Sequence, residues 1–141
     1  MRNLGYVFAL GVLALVVAAC EPFGDKDKEA LKKACGPAPT ALSSRPAIPN
    51  QFPDAQGIEY TGLQKDGPST IVNGYLDDKI GDAHTAYHDA LTNASGWTIT
   101  HEEQDAADSE VNFSGHGVSG QVKLIQICKG RSTVKVTIRP A

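Results

Sequence analysis

The 141-residue sequence predicts an α+β domain: a mostly antiparallel sheet with one main helix packed across it, plus a short N-terminal helix. Three observations predict it. Apolar residues recur at helical spacing between Asp77 and Ala94, they alternate with polar ones from Trp97 to Arg139, and Gly- and Ser-containing turns separate the alternating runs.

In chain order, Asp25 to Cys35 reads as the short helix. Asp25 and Asp27 at its start and Lys32 and Lys33 at its end complement the helix dipole, and Gly36-Pro37 stops it. Its only apolar stripe is Leu31 with Cys35, so a helix this short needs support from the rest of the chain. Gly36 to Gln56 carries Pro37, Pro39, Pro46, Pro49 and Pro53 with little apolar content. It reads as a spacer of extended, polyproline-like backbone, either wrapped on the domain or free of it. The folded part is expected from near Ile58. Ile58 to Leu63 and Thr70 to Leu76 are two strands around an Asp66-Gly67 turn signal.

Asp77 to Ala94 is the main helix, capped by Asp77 or Asp78, with Ile80, Ala83, Tyr87, Ala90, Leu91 and Ala94 on its buried stripe. Trp97 to Thr100 and Val111 to Ser114 are strands joined by a polar hairpin loop, Glu102 to Ser109. Gln121 to Cys128 has apolar residues on both faces and is expected inside the sheet. Lys129 to Ser132 turns the chain into Thr133 to Arg139, where Val134, Val136 and Ile138 face inward.

At the N-terminus, Met1-Arg2 precedes a nearly unbroken apolar run from Leu4 to Val16, and Val17-Ala18-Ala19-Cys20 closes it with small residues before a cysteine. This resembles a bacterial lipoprotein signal peptide with its lipobox. The resemblance implies that residues 1–19 are removed, that Cys20 becomes a diacylglyceryl cysteine, and that the mature chain sits on the extracytoplasmic face of the bacterial cell membrane. Residues 20–56 are then a tether and 57–141 the globular domain. A membrane-spanning helix is a poorer description, because spanning takes ~20 apolar residues and this run is shorter, with Gly5, Tyr6 and Gly11 inside it. Plain secretory cleavage would leave the cysteine a coincidence. Two acyl chains hold a protein on a membrane where one does so only marginally.

The mature length suits one domain. Its formal charge is −4 once Arg2 is lost, and nothing in it suggests a nucleic-acid partner. With Cys20 lipidated, Cys35 and Cys128 face an oxidising compartment and are expected to form a disulfide; two separate buried thiols are the alternative. The net charge hides an asymmetry. Asp54 to Glu110 holds Lys65 and Lys79 against twelve acids, whereas Val111 to Ala141 holds five basic residues and no acid. Either these charges offset one another inside the fold, or Lys129, Arg131, Lys135 and Arg139 face anionic lipid or an anionic envelope polymer.

Motifs with chemical content are sparse. Gly115-His116-Gly117-Val118-Ser119-Gly120 fits the dinucleotide fingerprint, but a strand follows where a helix N-terminus has to receive the pyrophosphate, so it reads as a strand connection. Glu102, Glu103, Asp105, Asp108 and Glu110 lack the glycine and ligand spacing of a calcium loop. His84 and His88 stand four apart on the main helix, a spacing that can place two imidazoles on one metal, with His101 or His116 as the third ligand only if the fold brings them near. No nucleophile elbow is present. The expected function is a membrane-anchored lipoprotein with a small binding or scaffolding domain and no cofactor. The alternative is a small envelope enzyme or metal-binding protein using His84 and His88.

Overall fold

Alternation and turn chemistry give the sheet its path. In the computed structural model, which describes residues 25–141, strands β1 (Glu59–Asp66) and β2 (Ser69–Leu76) form a hairpin that feeds the main helix. The short helix α1 spans Asp25–Ala34 and the main helix α2 spans Ile80–Asn93. Strands β3 (Trp97–Gln104), β4 (Asp108–Gly115), β5 (Val118–Cys128) and β6 (Arg131–Pro140) then meander back, so the order across the sheet is β1-β2-β6-β5-β4-β3. Every neighbouring pair is antiparallel. The fold is α+β, as the sequence predicts. The expected signal peptide and Cys20 lie outside the described residues. Among those described, no helix is long and apolar enough to cross a membrane.

The core lies between α2 and one face of the sheet. Val134, Val136 and Ile138 of β6, Val118, Val122 and Leu124 of β5, and Val111 and Phe113 of β4 point into it, meeting Ile80, Ala83, Tyr87 and Leu91 of α2. Gly120 makes room for an aromatic ring: a Cβ there would stand 2.5 Å from Phe113. The β4–β5 connection is a tight two-residue turn, with His116 at φ 48° and Gly117 at φ 76°; positive φ at both positions matches the twist of the flanking strands. The glycine-rich stretch is therefore turn chemistry.

Three expectations are corrected. The hairpin loop expected at Glu102 to Ser109 is far shorter, because β3 continues to Gln104 and β4 starts at Asp108, leaving Asp105 to Ala107 closed by an Asp105 N–H···Asp108 O bond of 2.9 Å. Except for Asp105 in the turn, the acidic residues thus stand on strands whose pleat separates them: Glu102 pairs with inward Val111, while Glu103 and Glu110 pair on the opposite face. They form no calcium loop.

Second, neither Asp77 nor Asp78 caps α2, which starts after Lys79 with no side-chain cap. The Ile80 N–H donates instead to Gln126 Oε1 at 2.9 Å, and Asp77 is held by Arg131 at 2.6 Å. A neighbouring strand supplies the cap.

Third, the proline-rich segment is built into the fold. Ile48, Phe52 and Ala55 are core residues, and the Phe52 ring lies 4.9 Å from Phe113 and 5.5 Å from Trp97. Leu42 N–H donates to Tyr60 O at 2.7 Å, and Arg45 donates to Asp54 at 2.7 Å and to Phe52 O at 2.8 Å. Three apolar side chains suffice because proline restricts the chain before folding and lowers the entropy lost on docking. The folded unit therefore begins well before Ile58.

As expected, β5 lies inside the sheet; its outer face is uncovered, with Ile125 47% and Ile127 54% exposed.

Cys35 and Cys128 are joined, with Cα atoms 5.6 Å apart. The bridge fixes the end of α1 beside the β5–β6 turn, where Gly130 packs against Leu31. Lys28 reaches Asp78 at 3.6 Å and Asp82 at 3.9 Å. Arg131 donates to the carbonyls of Gly36 and Pro37 at 3.3 and 3.2 Å, with its guanidinium over the Tyr75 ring.

Candidate functional site

Helical spacing puts His84 and His88 one turn apart on the flank of α2 that faces β3 and β4, their rings 6.4 Å apart. What they face is decided by a bulge. Up to Ile99 the inward residues of β3 are the odd ones, Trp97 opposite Gly115 and Ile99 opposite Phe113. The register then shifts, so that His101 pairs with Asn112 and Glu102 with inward Val111. One extra residue in a strand exchanges its faces. Glu102 and Gln104 turn toward the helix, and His101 turns away to the exposed outer face.

Glu102 Oε1 consequently lies 2.9 Å from His88 Nδ1 and 3.4 Å from His84 Nε2. The other nitrogen of His84, Nδ1, is 2.6 Å from the hydroxyl of Ser109, opposite Gln104 on β4. Exposure rises outward from the sheet: Ser109 is 2% accessible, and the side chains of His84, Glu102 and His88 are 16%, 29% and 42% exposed. The site is anchored at its inner end and open at its outer end. One ligand atom from each of His84, His88 and Glu102 lies within 4.8 Å of the others.

A serine, a histidine and a glutamate in contact invite comparison with a hydrolytic triad. A triad serine has to reach a substrate carbonyl, and the Ser109 hydroxyl is sealed between helix and sheet. It can orient His84 but cannot attack.

The remaining expected site residues are dispersed. His116 stands at the other end of β3, its ring 5.1 Å from Trp97 and its Nε2 3.0 Å from Ser95 O. Arg131 does not belong to an outward basic face: it is 4% exposed, paired with Asp77, and enclosed by the Tyr75 ring and the carbonyls of Gly36 and Pro37. Lys129, Lys135 and Arg139 are exposed. Lys123 bridges Glu110 at 2.7 Å and Asp108 at 3.1 Å, and both partners hold its ammonium above the usual lysine range. A separate cavity of about 380 Å³ opens beneath α1, lined by Lys28, Leu31, Asp78, Asp82, Gln126 and Lys129, away from the histidines.

Glu102 and Ser109 carry no sequence signal for this role, since both fall in what reads as a polar loop. Only the break in alternation after Ile99 hints at the bulge. No protein-family model matches the chain, and comparison with curated proteins finds none similar to it.

Proposed function

We propose that the chain is a bacterial extracytoplasmic lipoprotein, anchored through a diacylglyceryl Cys20, whose α+β domain works by binding at the membrane surface. The V-A-A-C closure of the apolar run is the observation that carries the anchor. The domain geometry supports a short tether. Only Glu21 to Gly24 separate Cys20 from the start of α1, which the disulfide, Lys28 and Arg131 together fix to the domain. At most roughly 3.6 Å per residue, that stretch reaches no more than about 18 Å. A domain so held keeps its α1 end close to the headgroups, within reach of anionic lipid for the exposed Lys26 or Lys129.

Binding is preferred to catalysis because the buried Ser109 offers no accessible nucleophile at the histidine cluster. Cys20→Ser tests the anchor. The variant is expected to leave the membrane fraction or to remain unprocessed, and a variant still cut at the same bond and still lipid-labelled would remove Cys20 from this role.

A further inference from the structure

We infer that His84, His88 and Glu102 form a binding site for a single divalent transition-metal ion of the zinc class, oriented by Ser109 and independent of how the chain is anchored. Two imidazoles and one carboxylate are a donor set that zinc accepts in four-coordinate sites with an open position.

Two of the three donor distances are close to those of a zinc site, and the third, between the His84 and His88 nitrogens, lies within 4.8 Å and has to close around an ion. Zinc bonds of 2.0–2.1 Å in a tetrahedron place neighbouring donors ~3.3 Å apart. His84 Nε2 and Glu102 Oε1 are 3.4 Å apart, and His88 Nδ1 and Glu102 Oε1 are 2.9 Å apart, so the second pair opens by a few tenths of an ångström around an ion. His88 has the freedom to do this, as the most exposed of the three side chains.

Ser109 supplies the feature that separates a prepared ligand from an incidental histidine. Its hydroxyl, fixed in the core 2.6 Å from His84 Nδ1, accepts the Nδ1–H in the tautomer that leaves the Nε2 lone pair free. A hydrogen bond on the far nitrogen is the usual way a metal-binding imidazole is held in tautomer and orientation. In that tautomer the lone pair faces a carboxylate oxygen at 3.4 Å, and a cation held between these two acceptors would be stabilised by both. The opposite tautomer directs Nε2–H at Glu102 across the same 3.4 Å and leaves the cluster a plain hydrogen-bonded network.

The fourth position points outward, where His88 and Glu102 meet solvent, and water or an exogenous donor completes it. The bulge is what builds the site: without it His101 would face the helix and Glu102 the outer face.

The experiment titrates ZnCl2 into the full-length protein purified in detergent, without a polyhistidine tag and stripped by chelator, using calorimetry. Co2+ is followed in parallel by its visible spectrum. One saturable site is expected, with the spectrum of four-coordinate Co2+ that Zn2+ displaces. Glu102→Gln and His88→Ala are expected to weaken Zn2+ binding at least tenfold, and Ser109→Ala by about 10- to 100-fold, as for other partners that orient a ligand. His101→Ala and Glu103→Gln, on the opposite face, are expected to bind as the parent does.

Absence of saturable one-to-one binding of either ion to the parent protein overturns the assignment, and that measurement does not depend on any variant folding. So does an equal loss in the outer-face controls, which would make the binding diffuse and acidic.

Discussion

Replacing Phe52 by alanine tests whether the proline-rich segment is part of the folded unit. The ring is 1% exposed and wedged against Trp97 and Phe113. Truncation removes on the order of 120 Å² of buried apolar surface, worth ~3 kcal/mol at 25 cal/mol per Å². Trp97 and Phe113 are themselves fixed on paired strands, so the space collapses poorly and a cavity cost adds to the transfer cost, giving about 4 kcal/mol within the usual range for Phe→Ala. With a urea slope of about 1.5 kcal/mol/M, the midpoint moves down by roughly 2.5 M. The assay is equilibrium urea unfolding of the domain with its disulfide intact, with Leu42→Ala as a control in the same segment; Leu42 is 42% exposed, and a change below ~0.5 kcal/mol is expected there. A Phe52→Ala midpoint indistinguishable from that of the parent would show the segment to be a spacer and refute the reasoning.

Reduction of the Cys35–Cys128 bridge, whose residues are 93 apart in sequence, is expected to destabilise the domain. The chain-entropy limit is about 4.6 kcal/mol. Free alkylation of both thiols in the folded, unreduced protein would contradict the bridge. Alkaline titration has a definite sign: burial raises the phenol pKa of Tyr60 and Tyr87, and the Tyr60 hydrogen bond to Asp54 raises it further. Stability is then undiminished below pH ~10, where unfolded tyrosines stay protonated, and falls above it by up to about 1.4 kcal/mol per pH unit for each. A stability profile flat beyond pH ~10, or one unaffected by Tyr60→Phe, would count against it. Replacing Lys129, Lys135 and Arg139 together by alanine is expected to weaken binding to anionic vesicles at low salt, by roughly a hundredfold at ~1 kcal/mol per charge near the surface. The effect should shrink as salt shortens the ~10 Å screening length. Equal binding to anionic and neutral vesicles would leave internal charge balance as the explanation, a course that Lys123 and Arg131 already take.

By itself the sequence determined the fold class and the inward faces. The alternation in Thr133 to Arg139, the helical recurrence from Ile80 to Leu91 and the turn residues between runs are local patterns, and strands and helices expose them at fixed periods of two and 3.6. It also made His84 and His88 visible as a pair, because a four-residue spacing on a helix needs no tertiary information. The tertiary structure alone decided their partner. A one-residue bulge after Ile99 exchanges the faces of β3, and that shift depends on pairing with β4 rather than on the composition of either strand. It decided as well that Phe52, in a segment whose composition describes a spacer, fills the gap beside Trp97 and Phe113, and that Arg131, one basic residue among five near the C-terminus, is buried against Asp77. In each case the deciding neighbour is distant in sequence, so no local period records it.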